Sequence, residues 1–204
     1  MGHAGAAAAA VRYLRSAGTR APVEALPRPE LRCVGDNERA PVDQTEFRRV
    51  LGTFATGVTV VTAPAADEAG PAGPAGFACQ SFSSLSLDPP LIAFMVGRTS
   101  TTWPHIARAG VFCVNILGAH QGDLCRAFAV SGADKFTGVA YDGAPVSGSP
   151  RLTGAVAWLD CTIHAVHMGG DHLIVVGRIE ALGTGAASDE PLIFHRGRFG
   201  RLEG

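Results

Sequence analysis

The sequence predicts a mainly β fold, a closed antiparallel barrel with a few short helices, on three observations. β-rich runs bounded by Gly, Pro or Asp recur at residues 58–62, 77–85, 91–96 and 112–117. Further on, Leu159, Cys161, Ile163 and Ala165 alternate with Asp160, Thr162 and His164, as in a half-buried antiparallel strand. A second alternating run follows at 173–182, and Gly169-Gly170-Asp171 between the two reads as a tight hairpin turn. Six or seven strands in one sheet must close or protect their edges, and closure is the simpler solution.

The elements fall in order along the chain. Residues 1–41 carry an Ala run and then Pro22, Pro27, Pro29 and Pro41 among Arg and Glu, without sustained periodicity, and read as a mobile extension. The folded domain is expected over 42–204. Asp43-Gln-Thr-Glu46 matches a capping box, and Phe47, Val50, Leu51 and Phe54 follow at helical spacing, predicting a helix over 44–55 that stops at Gly57. Gly70-Pro-Ala-Gly-Pro-Ala-Gly76 is too short for a triple helix and reads as an exposed loop. Short helices are expected at 101–109 and 121–129, and a last strand at 192–199.

Composition narrows the function. The 204 residues are 47% hydrophobic and 17% charged, with 17 basic against 18 acidic side chains, so no nucleic-acid partner is implied. No apolar run approaches the roughly 18–20 residues that cross a bilayer, and residues 6–11 are too short for a signal segment. The expected location is cytoplasmic. Cys33, Cys79, Cys113, Cys125 and Cys161 are odd in number and lack a CxxC pair, which fits reduced thiols better than a disulfide framework or a zinc site. Lys135 is the only lysine beside sixteen arginines.

Familiar catalytic motifs are missing. No Walker-type phosphate loop is present, and Gly183-Thr-Gly185 leads into Asp-Glu-Pro rather than a helix, as a dinucleotide fingerprint would not. His164 and His167, three apart on a strand, point to opposite faces, so no metal site is expected. No G-x-S-x-G elbow occurs. The most informative segment is 76–90, Gly-Phe-Ala-Cys-Gln-Ser-Phe-Ser-Ser-Leu-Ser-Leu-Asp-Pro-Pro, which packs four serines and a glutamine into one strand. Hydroxyls and backbone N–H groups grouped this way suit a phosphate or the polar edge of a ring, and equally a Ser-rich edge strand ending at a turn.

Several motifs in the same order resemble one family. They are Phe54-Ala-Thr-Gly-Val-Thr-Val-Val-Thr62, the segment 76–90, Phe112-Cys-Val-Asn-Ile-Leu117 with Gln121, Asp134-Lys-Phe136, Gly170-Asp-His172 and Pro191-Leu-Ile-Phe-His-Arg-Gly197. Together they resemble the short-chain flavin reductases with a flavin-binding split barrel, the reductase components of two-component aromatic monooxygenases. Phe77-Ala-Cys-Gln-Ser-Phe82 is most similar to the reductases serving steroid-ring and phenol hydroxylases of actinobacteria. Many relatives carry Thr-Ala-x-Ser there, and Ala78 in place of the Thr removes one hydroxyl near the flavin.

The resemblance implies a closed antiparallel split β-barrel. It further implies an NAD(P)H:flavin oxidoreductase that reduces FMN or FAD with NADH or NADPH, NADH being favoured, and hands diffusible reduced flavin to a separate monooxygenase. The isoalloxazine ring would lie against Val58, Thr59 and Val60 and against Ala78, Cys79, Gln80, Ser81 and Phe82. Ser84 and Ser86 would approach the ribityl chain or phosphate, and Lys135, beside Phe136 and with Arg126 nearby in sequence, would counter the phosphate charge. His172 would position the nicotinamide, with no protein acid or nucleophile required. Asn115 either donates to flavin or satisfies a strand end; Trp103 and Phe128 read as core or dimer contacts. A homodimer is implied. The alternatives are a split barrel that retains its flavin and passes electrons to another acceptor, and a non-enzymatic flavin- or haem-binding barrel.

Overall fold

The structure is a computed structural model that describes residues 42–65, 73–132, 134–185 and 190–202. The extension expected at 1–41 and the first part of the Gly-Pro-Ala loop lie outside the described residues. Helix α1 spans Gln44–Leu51 and is capped by Asp43, whose carboxylate accepts from Thr45 N and Glu46 N. Glu46 does not return to the cap as a capping box requires; it pairs with Arg49. The helix ends at Gly52, short of the expected residue 55, where the Gly52 N–H bonds back to Arg48 O.

Among the described residues the main sheet has seven antiparallel strands: β2 (Thr59–Ala63), β3 (Ala75–Cys79), β4 (Ser83–Leu87), β5 (Pro90–Gly97), β6 (Val111–Ile116), β9 (Ala157–Gly169) and β10 (His172–Thr184). Their order across the sheet is β3-β2-β6-β9-β10-β5-β4. The expected hairpin joins β9 to β10 through Gly170-Asp171, with Gly170 at φ 74°. A smaller sheet joins β1 (Thr56–Gly57), β11 (Ile193–His195) and β12 (Arg198–Gly200), and β7 (Tyr141–Gly143) pairs with β8 (Pro150–Leu152). Helices α2 (Trp103–Ala109) and α3 (Gly122–Ala129) cover the sheet.

Among the described residues the ladder ends at β3 and β4, so strand pairing alone does not show the expected closure. Two expectations need correction. The run 77–85 is two strands, broken at Gln80-Ser81-Phe82, because the Ser81 hydroxyl bonds both Met95 N (2.9 Å) and Met95 O (3.0 Å) of β5. The last run is a hairpin, bent where Arg196 and Gly197 both take positive φ, 48° and 76°.

Two apolar clusters fill the interior. One joins Val61, Ile92, Phe94, Trp103, Ile106, Phe112, Val114 and Val175, with Phe94 edge-on to both Phe112 and Trp103. Gly177 lets Phe112 pass close to β10; a Cβ there would stand 2.4 Å from the ring. The second joins Val58, Val60, Leu117, Cys125, Phe128, Leu152 and Leu192 beneath α3.

Candidate active site

Separate segments of the chain converge on one cleft of about 510 Å³, within the about 300–1,000 Å³ of small-molecule sites. Phe77, Ala78 and Cys79 of β3 line it and Gln80 and Ser81 prolong them. Opposite come Met95, Val96 and Gly97 from the end of β5 and the hydroxyl run Thr99-Ser-Thr-Thr102. Phe128 and Ala129 from α3, Ser131, Lys135 and His172 complete the lining.

Among the described residues β3 is an edge strand, paired only with β2, so one row of its backbone N–H and C=O groups has no strand partner there. The Ser81 hydroxyl, by contrast, is spent. Its proton goes to Met95 O, and the Cys79 thiol, 3.3 Å away, must then be the donor between the two. Burial pushes the Cys79 thiol up from its ordinary pKa, which keeps it protonated for that role. Lys135 Nζ donates to Gly76 O (3.0 Å) and Phe128 O (3.1 Å), which leaves one of its three protons without a partner among the described residues. Burial lowers its pKa from the ordinary lysine value.

His172 is oriented by its sequence neighbour. Its Nδ1 lies 2.7 Å from Asp171 Oδ1, and that hydrogen bond holds the Asp171 carboxyl below the usual carboxylate range. The backbone of the turn is tied down by Arg98 N donating to Asp171 O (3.0 Å). Nε2 is directed to the Gly97 side, where a Cβ on that glycine would lie 3.9 Å from it. One ring nitrogen is thus occupied and the other is presented.

Residues 51–203 match the profile of a flavin reductase like domain. The chain is 43% identical over 162 residues to the reductase subunit of a flavin-dependent monooxygenase from Rhodococcus jostii, covering 79% of this chain and 80% of the relative. It is 45% identical over 162 residues to a flavin reductase from Pseudomonas putida, covering 79% and 92%. The solved structure of an NADH:FAD oxidoreductase from Streptomyces globisporus, in complex with NAD and FAD fragments, superposes with a TM-score of 0.72 at 37% identity, over 79% of this chain and 93% of that one. The chain belongs to the flavin reductase-like family.

In this flavin reductase-like domain the expected site residues divide. Ala78, Cys79, Gln80, Ser81, Lys135 and His172 share the cleft. Val58, Thr59 and Val60 do not line it: all three are buried, and Thr59 and Val60 pair with Cys79 and Ala78, so they form the layer that supports β3. Phe82 turns into the first apolar cluster. Ser84 and Ser86 belong to β4, which pairs with β5 at the other end of the sheet order, and neither lines the cleft. Asn115 is fully buried, donating to Val60 O and Pro150 O and accepting from Leu152 N, so its bonding capacity is used by the fold. Phe136 stacks edge-on against Phe128 and Tyr141 and lines an adjoining cavity rather than the cleft. Sequence reasoning missed the hydroxyl run 99–102. Four Thr and Ser side by side before Trp103-Pro104 were a usable signal, since a helix start needs only one of them as a cap.

The cleft fits a flavin. An edge strand can read the hydrogen-bonding rim of a flat ring, and the free Lys135 proton and the threonine hydroxyls suit a phosphate.

Proposed function

We propose that this domain is an NAD(P)H:flavin oxidoreductase, with NADH as the favoured donor, that reduces FMN or FAD and releases it to a separate monooxygenase. The observation that carries the reading is that the free edge of β3 and the ring of His172 line the same cleft. When both ligands are bound, hydride passes from the nicotinamide to the flavin, and the chemistry belongs to the two rings. The chain contributes position. The β3 edge at Ala78 and Cys79, with Gln80 just beyond it, would orient the flavin ring, Lys135 would balance its phosphate, and His172, fixed through Nδ1 by Asp171, would position the nicotinamide.

The cleft is open to solvent along Thr99, Thr101 and Gln80, all exposed, which supports exchange of the flavin between turnovers. Ser81 stitching β3 to β5 supports reading the sheet as a split barrel whose seam is made by a side chain. A homodimer is supported by α1, which buries no residue and leaves Phe47, Val50 and Leu51 about half exposed, with Phe54 beyond its end more so. The described cysteines are free and buried, in keeping with the reducing cytoplasm.

The test is the loss of NADH absorbance with FMN, with FAD and with no added flavin. Rapid oxidation that saturates with flavin is expected. No oxidation with either flavin, or with NADPH, refutes the reading.

A further inference from the structure

Lys135, the only lysine of the chain, sits where two cavities meet. It lines the cleft and also the adjoining cavity of about 710 Å³, and Thr101 and Thr102 line both with it. Nζ is held from two elements, by Gly76 O of β3 and Phe128 O of α3. Neither acceptor is charged, and among the described residues no carboxylate pairs with Lys135. Its neighbour Asp134 is consumed by its own turn, accepting from Phe136 N, Thr137 N and the Thr137 hydroxyl. The other titratable side chains on the two linings, His105 and His172, form no hydrogen bond to Nζ.

A pair of carbonyls holds a neutral amine as well as it holds an ammonium. An amine has two N–H groups and one lone pair. With both N–H groups on Gly76 O and Phe128 O, tetrahedral geometry sends the lone pair to the remaining position, the one without a partner among the described residues. Burial favours that form by lowering the pKa from the ordinary lysine value. One arrangement therefore makes a counter-charge when protonated and an oriented nucleophile when not, which an arginine could not do.

We propose that Lys135 is a modification site: its amine takes the acyl group of an acyl phosphate that enters the cleft, and the acylated chain loses its hold on a flavin phosphate. The lining selects this class of donor. Thr101 and Thr102 make no side-chain hydrogen bond among the described residues and suit the phosphate, which brings the acyl carbon within reach of Nζ. In the transfer the Nζ lone pair forms the C–N bond, the C–O bond to phosphate breaks with its electron pair, and the amine proton leaves with inorganic phosphate. The amide product keeps one N–H and no charge, so one carbonyl loses its donor and the flavin phosphate its counter-charge. Only this last consequence rests on the reductase reading.

Acetyl phosphate is the probe. The folded chain and the same chain unfolded in urea are treated with it, and the adduct is located by peptide mass analysis. One acetyl group on Lys135, forming at least about tenfold faster in the folded chain, is expected because the fold orients the lone pair and favours the amine. A folded rate no faster than the unfolded one overturns the proposal. Saturating FMN should slow the reaction about tenfold by occupying the phosphate position, and an adduct that forms as fast with FMN bound also overturns it.

Kinetics read the consequence. Acetylation should raise the KM for FMN about tenfold and leave that for riboflavin within about twofold. Lys135→Arg, which offers no amine to acylate, should show no change on treatment, whatever its starting activity. An equal rise for both flavins, or the same loss in Lys135→Arg, overturns the regulatory role. A chain acetylated as expected that oxidises no NADH with any flavin refutes the reductase reading and leaves the modification site standing.

Discussion

Two regions of this molecule are rich in polar side chains, and they use them in opposite ways. Beneath the sheet, Asn115 and Thr62 are fully buried and bonded to Val60, Cys113, Pro150 and Leu152, so that they fasten β8 to the main sheet. Around the cleft, Lys135 keeps one proton free, and Thr99, Thr101 and Thr102 make no side-chain hydrogen bond among the described residues. Residue type does not separate the regions. Unmet bonding capacity distinguishes the cleft side chains from Asn115 and Thr62, since a ligand can satisfy it there, although Asp160 Oδ1, buried on β9 away from the cleft, also has no partner among the described residues.

The sharpest way to break this comparison is to cut each region in turn. Asn115→Leu removes one side chain but orphans Leu152 N and weakens the bonding of Pro150 O and Val60 O, a cost of about 3 kcal/mol. At about 2–4 °C per kcal/mol for a domain of this size, thermal denaturation should show a midpoint about 6–12 °C lower. Flavin-dependent turnover per folded molecule should stay within about twofold, since the residue does not line the cleft. A large rise in flavin KM at an unchanged midpoint would put Asn115 in the site after all.

Cleft substitutions should invert that pattern. His172→Ala, at a half-exposed position, is expected to move the midpoint by no more than about 0.5 kcal/mol equivalent while lowering kcat/KM for NADH about tenfold. Asp171→Asn should give a smaller loss, about threefold, because it loosens the ring without removing it.

The mildest prediction concerns pH. Lys135 must be protonated to hold a flavin phosphate, and burial lowers its pKa, so raising the pH should weaken FMN before a free lysine would lose its charge at 10.5. Riboflavin, without the phosphate, should show no such loss. Parallel pH curves for FMN and riboflavin would remove Lys135 from the phosphate role.

Much of this was legible in the chain. The Gly170-Asp171 hairpin and the Asp43 cap follow from patterning that tertiary structure had no reason to override. The break at Ser81 was not legible, because it depends on a side-chain bond to Met95, fourteen residues away, that no local pattern encodes. The short strands β7 and β8 carry too few residues to alternate visibly. Within the site, the resemblance brought the β3 segment, Lys135 and His172 forward, but it also named Asn115, Ser84 and Ser86, whose positions only pairing and burial resolve.

The central claim, that reduced flavin leaves the domain, is tested most directly by anaerobic titration. A small amount of protein is mixed with excess NADH and a large excess of FMN or FAD, and the flavin absorbance is followed to completion. Bleaching of the whole flavin pool, many molecules for each chain, is the expected result. Bleaching that stops at one flavin per chain would mean the cofactor is retained and would contradict the account.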